Sequence, residues 1–216
     1  MLFPLAQLLC SGSILLLSFL TLKCRAMKSF LLSLLELLEV ALVTVGAVII
    51  VRTFLVQPFL VHGASMVPTF MHGDYLLVDE LSYRFRAPER GEVIVFSADF
   101  GTEEGSSRFL IKRVIGLPGE RVVLENGRVL IYNSTHPEGF MLHEGYIPSG
   151  VLTMVRPGGI GDVTLGPNEY FVLGDNRSAS YDSREWGVLR SQDIVGLTRF
   201  RLWPPATLAA FAAPQY

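Results

Sequence analysis

The sequence predicts a mainly β domain that follows one or two membrane-spanning helices. The 216-residue chain is 50% hydrophobic, which is too apolar for an ordinary soluble domain, and the apolar excess lies in about the first 60 residues. The remainder contains short β-rich apolar runs between Gly- and Pro-bearing turns. It has no helical pattern long enough for a βαβ crossover, which argues against a parallel α/β sheet.

The first apolar segment, residues 1–22, contains no charged residue. Because about 20 helical residues match the roughly 30 Å hydrocarbon core of a bilayer, we predict a retained transmembrane helix here. A cleaved secretory signal is the alternative, although no basic residue precedes the apolar run. A start at Met27 would leave only the second span, so the true start stays open.

The second apolar segment, residues 30–51, carries Glu36 and Glu39 in its first half. We predict a second transmembrane helix, with an amphipathic surface helix as the alternative. The loop between the spans, residues 23–29, contains three basic residues and is therefore expected in the cytoplasm. This orientation sends residues 52–216, the folded domain, to the extracytoplasmic side of the plasma membrane.

Two conformations fit the sequence at the start of the folded domain equally well. Residues 52–61 contain large apolar side chains and Pro58, so they either lie on the bilayer surface or form a core strand. Further strands are expected at residues 75–78, 93–96, 109–115, 170–173 and 194–202. Asn126-Gly127 supplies the positive φ values of a type I′ turn and predicts a hairpin. Residues 136–166 have little periodicity and are interpreted as an irregular excursion.

Composition excludes several classes of function. The net charge is −2 and no run of basic residues is present, so a nucleic-acid partner is not expected. Both cysteines, Cys10 and Cys24, lie before the folded domain, which therefore has no disulfide, zinc cluster or cysteine nucleophile. The chain also lacks a His-Glu-x-x-His helix, a Gly-x-Ser-x-Gly elbow and a Gly-rich phosphate loop. We expect no cofactor and no metal.

Two residues have the chemistry of a nucleophile and a base. Ser65 lies between small residues and a proline, in a turn that can expose a hydroxyl, although such a serine more often caps its own backbone. Lys112 lies in an apolar strand, where desolvation can lower its pKa by about three units from a reference value near 10.4. An exposed strand lysine is the alternative.

A third polar cluster follows a predicted strand end, at residues 174–184. Its two aspartates and two arginines suit a hydrogen-bond network that supports a site, and a solvated loop is the alternative. Taken together and in this order, the three clusters resemble type I signal peptidases, which are membrane-bound serine proteases. Residues 65–69, 111–120 and 174–184 are similar to the nucleophile box, the lysine box and the last box of that family.

The resemblance implies a role for each matched residue. Ser65 would attack the scissile carbonyl and neutral Lys112 would accept its proton, so that no histidine is needed. Ser180 matches the hydroxyl that orients the lysine. Asp182 and Arg184 match a structural ion pair that supports the site, and Asp175 and Arg177 are expected to be structural as well. Met66, Phe70 and Ile111 are candidate walls of pockets for an Ala-x-Ala cleavage site.

The sequence departs from the family pattern beside the nucleophile. Gly63 stands where many members have a serine that donates to the oxyanion, so the backbone N–H of Ser65 is the expected donor and a second donor is unidentified. The resemblance also implies a domain of coiled antiparallel β-sheets, as in signal peptidases and self-cleaving repressors, with an apolar face on the membrane. Its substrates would be signal-peptide-bearing precursors, cut by a monomeric enzyme at the lipid bilayer.

Three alternatives to this function belong to other classes or subclasses. A tethered binding protein with a dead site is disfavoured because Ser65, Lys112 and Ser180 are all present. A specialised peptidase of the same clan is closer. Self-cleaving repressors share Ser-Lys chemistry, but they have no membrane spans and carry a DNA-binding helix pair, which this sequence lacks.

Overall fold

The computed structural model describes residues 28, 30–49, 56–98 and 108–214. The chain divides into two compact units, residues 1–51 and 52–216. In the first unit, helix α1 (Phe30–Ile49) is long and apolar enough to cross a membrane, and it is the one such helix among the described residues. The predicted first span, residues 1–22, lies outside them, as does most of the predicted loop at 23–29.

The second unit is mainly β, as the sequence predicts, and all of its strand pairs are antiparallel. The larger sheet has the order β1-β2-β11-β3-β4-β9-β10, and β12 pairs with β11. Its strands are β1 (Val56–Leu60), β2 (Tyr75–Asp79), β3 (Val93–Ala98), β4 (Arg108–Gly116), β9 (Glu169–Leu173), β10 (Leu189–Arg190), β11 (Ile194–Trp203) and β12 (Ala209–Ala210). One short helix, α2 (Ser183–Trp186), follows β9. Single 3-10 turns occupy Ser82–Arg84, Ser191–Asp193 and Pro205–Thr207.

The smaller sheet contains the predicted hairpin. Its order is β7-β6-β5-β8, and its strands are β5 (Arg121–Glu125), β6 (Arg128–Tyr132), β7 (Phe140–Met141) and β8 (Asp162–Thr164). Asn126 and Gly127 join β5 to β6 with φ values of 51° and 74°, as a type I′ turn requires. The interpretation of 136–166 as wholly irregular was wrong at both ends, because β7 and β8 complete this sheet. These short strands pair with distant partners, so local periodicity does not show them.

Side chains that alternate along β4 and β9 separate two apolar cores. Ile115 and Phe171 point into a core shared with the smaller sheet, whereas Val114 and Val172 point into a core on the other side. A third core lies under the loop between β1 and β2. The central strands of the larger sheet are thus packed on both faces. The backbone of β4 is therefore held rigidly, and so is the starting point of each side chain on it.

Strand β1 decides between the two structures considered for residues 52–61. It is an edge strand that pairs only with β2, and Gln57, Pro58 and Leu60 are exposed. A proline is tolerated at this position because an edge strand leaves alternate N–H groups unpaired. Residues 56–60 of this segment are therefore an edge strand and not a core strand, and contact of the segment with a bilayer stays a prediction.

Candidate active site

Ser65 lies in the loop between β1 and β2, which we call the serine loop (residues 61–74). The ends of this loop are closed by two backbone hydrogen bonds, from Val61 N to Asp74 O at 2.9 Å and from Gly73 N to Val61 O at 3.0 Å. Met66 and Phe70 anchor the loop from below, since both are fully buried in the third core. The serine itself is half-buried, so the loop holds a hydroxyl at the surface of a packed base.

Lys112 lies in the middle of β4 and is 3% exposed. Its Nζ atom is 3.0 Å from Ser65 Oγ and donates a second hydrogen bond to the Ile111 carbonyl at 2.9 Å. The strand pairing of Lys112 with Ile94 of β3 fixes the backbone from which this side chain extends. The structure therefore brings together the two residues that are 47 positions apart in the sequence.

Burial changes the protonation of this lysine. Desolvation lowers the pKa of Lys112 from 10.5 to about 8, while the negative charges of Asp182 and Asp175 act in the opposite direction. A buried ammonium loses its hydration, and the neutral amine does not. At neutral pH a useful fraction of the amine is uncharged, as a general base requires.

Asp182 and Arg184 form the ion pair that the resemblance implies. Arg184 donates to both carboxylate oxygens of Asp182, at 2.8 and 2.9 Å, and both side chains are buried. Asp182 also caps α2 and accepts the backbone N–H of Gly174 at 3.0 Å. The carboxylate thereby ties the end of β9 to the loop that follows it.

Asp175 does not pair with Arg177 but with Arg113, the residue after Lys112. Arg113 donates to the two carboxylate oxygens at 2.8 and 2.6 Å, and Thr69 Oγ1 of the serine loop donates to Asp175 at 2.5 Å. This pair links three segments: the lysine strand, the serine loop and the loop after β9. Arg113 lies within the lysine box, residues 111–120, but the sequence indicated no role for it.

Asn176 makes a further link to the serine loop. Its backbone N–H donates to the Ser65 carbonyl and its side-chain amide donates to the Ala64 carbonyl, both at 3.0 Å. These two bonds hold the backbone on either side of the Ser65 nitrogen. The sequence indicated no role for Asn176. It does stand within the matched residues 174–184, and its amide can both donate and accept hydrogen bonds.

Ser180 is fully buried, but its hydroxyl makes no hydrogen bond to Lys112. Its Oγ has no hydrogen-bond partner among the residues that the structure describes. The hydroxyl packs against Gly174, where an added Cβ would come within 2.2 Å of it. Its role in orienting Lys112 stays a prediction.

Arg177 has a partner that the sequence did not suggest. It donates two hydrogen bonds to Glu144, one to Thr153 Oγ1 and one, at 3.1 Å, to the Gly174 carbonyl. Glu144 and Thr153 come from the segment that the sequence left without a function. Arg177 thus joins this segment to the loop after β9.

Two cavities flank Ser65, and both also contact Lys112. The first has a volume of about 520 Å³ and is mainly apolar, with Ile111, Leu76 and Val95 among its walls. The second, about 450 Å³, lies beside Gly63 and Tyr181. Ile111 is therefore where a pocket wall was predicted.

The other two candidate pocket walls, Met66 and Phe70, do not line either cavity. They are 1% and 0% exposed and belong to the core beneath the serine loop. The structure thus corrects their placement, because large apolar residues next to a nucleophile were needed to hold up the loop that carries it.

The backbone beside Ser65 is open toward the cavities. Gly63 has a φ of 92°, a conformation that favours glycine. The backbone N–H of Ser65 makes no hydrogen bond to another described residue, so it is available to an incoming oxygen. Within the described ranges, no cluster of His, Cys, Asp or Glu could hold a metal ion.

The known proteins to which this chain is similar are signal peptidases. The sequence profile of the family described as "Signal peptidase, peptidase S26" matches residues 34–203. A probable signal peptidase I-2 of Synechocystis sp. is 37% identical over 171 residues, which cover 77% of this chain and 73% of the relative. A signal peptidase I of Leptolyngbya laminosa is 37% identical, over 76% and 77% of the two chains. A crystal structure of a signal peptidase I from Enterococcus faecalis is 26% identical, covers 52% of this chain and 97% of that chain, and superposes with a TM-score of 0.37.

Proposed function

The chain belongs to the peptidase S26 family of signal peptidases, and from this membership we propose that Ser65 and Lys112 are its catalytic dyad. The protein is a serine endopeptidase that removes signal peptides from exported proteins. One observation carries the assignment of the dyad. The Nζ atom of a buried lysine, whose pKa is lowered to about 8, lies 3.0 Å from a serine hydroxyl in the matched segments.

The reaction follows from this geometry. The neutral amine of Lys112 accepts the Ser65 proton while Oγ attacks the scissile carbonyl, and the carbonyl oxygen becomes an oxyanion. The N–H of Ser65 donates to that oxyanion. As the intermediate collapses, the Lys112 ammonium returns the proton to the leaving amine and an acyl-enzyme remains. Lys112 then takes a proton from the water that attacks the ester, and it returns this proton to Ser65 Oγ as the C–O bond of the ester breaks, which restores the neutral amine and the serine hydroxyl.

Each supporting contact has a place in this mechanism. Asp182 and Asp175 anchor the loop after β9, and Asn176 holds the carbonyls of Ala64 and Ser65. The Ser65 N–H is thereby aimed before the substrate arrives, so no reorganisation is needed during the reaction. Ser180 is proposed to contact Lys112 once the amine changes its charge.

The apolar cavity suggests where the signal peptide lies. Its walls of Ile111, Leu76 and Val95 suit small apolar side chains before the cleavage site, consistent with an Ala-x-Ala preference. The exposed edge of β1 is available for pairing with an extended substrate. A substrate held in this way presents its scissile bond to Ser65, which borders the same cavity.

Helix α1 is consistent with a membrane anchor. We propose that residues 23–29 are cytoplasmic, that 30–51 span the membrane and that 52–216 form an extracytoplasmic peptidase domain acting as a monomer. Lys23, Arg25 and Lys28 support this orientation, because basic residues stay on the cytoplasmic side. Residues 1–22 are proposed as a further span.

Two alanine variants test the dyad. Ser65→Ala and Lys112→Ala are each expected to abolish cleavage of an Ala-x-Ala precursor by the full chain in detergent or lipid, because one removes the nucleophile and the other the base. Ser149→Ala, which changes an exposed serine, is the control and should cleave normally. Full activity in either dyad variant would refute the mechanism.

A reporter fused to the C-terminus tests the proposed orientation. The reporter should lie outside the cell, and a cytoplasmic reporter would refute the orientation.

A further inference from the structure

Tyr146 lies against the arginine that follows the catalytic lysine. The guanidinium carbon of Arg113 is 4.0 Å from the centroid of the Tyr146 ring, well within the distance at which a cation and an aromatic face attract each other. The tyrosine comes from the segment between β7 and β8, for which the sequence suggested no function. It is partly buried and also packs against the core shared with the smaller sheet.

Arg113 is the point at which this contact reaches the active site. Besides Asp175, its guanidinium binds the Gly91 carbonyl at 2.7 Å and lies 3.5 Å from Thr69 Oγ1. The residue before it is Lys112, and Thr69 belongs to the serine loop. The position of the Arg113–Asp175 pair therefore affects both halves of the dyad.

The Tyr146 ring is itself held in place. Its hydroxyl donates to Glu144 at 2.6 Å, and the same carboxylate accepts both terminal nitrogens of buried Arg177. Arg177 in turn donates to the carbonyl of Gly174, the residue before Asp175. The ring is thus connected to the backbone beside Asp175 by a second route, through Glu144 and Arg177.

We propose that Tyr146 is a positioning residue for signal peptide cleavage, whose ring covers the Arg113–Asp175 pair and keeps it aligned between the serine loop and the lysine strand. This proposal rests on the proposed catalytic roles of Ser65 and Lys112. Without the ring, water reaches the guanidinium, and its two hydrogen bonds to the carboxylate compete with bonds to solvent.

A misaligned pair has an electrostatic consequence at the lysine. Asp175 favours the charged form of Lys112, and Arg113 opposes that effect while it is paired. Losing the pairing is therefore expected to raise the pKa of Lys112. The other charged neighbour, Asp182, is paired separately with Arg184, so its effect on the lysine should not change.

Three further titratable or charged side chains line the cavities that contact Lys112: His62, Arg108 and Tyr181. The measurements below are therefore repeated with His62→Gln, so that a limb due to the histidine is recognised.

The test is the pH dependence of kcat/KM, whose acid limb reports the base of the free enzyme. Tyr146→Leu and Tyr146→Met, which lack the ring, are expected to move the acid limb upward by about half a unit. Tyr146→Phe retains the ring and should keep the parent limb. Tyr132→Leu is the matched control, because Tyr132 also lies under an arginine, Arg121 at 5.5 Å, but in the smaller sheet. It should leave the limb unchanged.

The outcomes separate this proposal from the one on which it rests. An unmoved acid limb in a folded Leu or Met variant would overturn the role of Tyr146, and so would a limb that moves equally in the Phe variant. Methionine is unbranched, adapts to irregular apolar surroundings better than leucine, and carries the test if the leucine variant does not fold. Activity that survives Ser65→Ala would instead refute the catalytic dyad itself.

Discussion

Replacing Lys112 by methionine is expected to make the folded domain more stable at about pH 7 while it abolishes cleavage. Methionine is unbranched, has a similar length and fits irregular apolar surroundings. The lysine is 3% exposed, so its ammonium is held in a poorly solvated site. An enzyme that needs an uncharged amine accepts this loss of stability for the sake of the reaction.

The magnitude follows from the shift in pKa. The pKa of Lys112 is 10.5 in a solvated chain and about 8 in the folded protein. Below the folded value both states are protonated, and burial of the charge then destabilises the fold by about 3 kcal/mol. Between these two pKa values the unfolded chain binds the extra proton, so stability rises with pH, and above the unfolded value the penalty is absent. Loss of the hydrogen bonds to Ser65 and Ile111, at about 1 kcal/mol each, offsets the gain by about 2 kcal/mol, which leaves about 1 kcal/mol.

The assay is denaturant unfolding of the purified chain in detergent, at about pH 7 and at a pH near the lysine's unfolded pKa. The advantage of Lys112→Met should be largest at the lower pH and shrink as the pH rises. Arg190→Met removes a charge from an exposed side chain and should show no such pH dependence. A methionine variant that is less stable than the parent at about pH 7, or whose advantage does not change with pH, would refute the claim that Lys112 is destabilised by desolvation.

Two further predictions concern the loop after β9. Gly174→Ala would place a Cβ 2.2 Å from Ser180 Oγ and 2.5 Å from the Ser65 carbonyl, so it should lower kcat/KM about 100-fold in a precursor-cleavage assay. Gly145→Ala, whose Cβ meets nothing closer than 3.7 Å, should cleave normally, and equal activity of the two variants would contradict the packing. Asp182→Asn leaves Arg184 buried without its charge partner and should destabilise the domain by about 3–5 kcal/mol in denaturant unfolding. Asp162→Asn breaks an exposed pair and should have a much smaller effect, so similar losses in both would argue against a buried pair at Asp182.

The sequence by itself predicted the class of the fold, the apolar helix and the hairpin, and its family resemblance singled out the proposed reacting pair. These features depend on local information: strand periodicity, the φ values that Asn126 and Gly127 accept, and short blocks in which Ser65 and Lys112 stand. The strand at Lys112 also suggested desolvation of the lysine, because most of its neighbours in the sequence are apolar, but an exposed lysine remained the alternative.

Only the tertiary structure decided which polar groups meet. Asp175 and Arg177 were expected to be structural, but the sequence named no partner for either: Asp175 binds Arg113, 62 positions away, and Arg177 binds Glu144 of a segment that has little periodicity. Met66 and Phe70 could have lined a pocket or a core equally well by composition, and the packing beneath the serine loop placed them in the core. Partners across a sheet are chosen by three-dimensional proximity and by the need to satisfy buried charges, and neither is encoded in the spacing of residues along the chain.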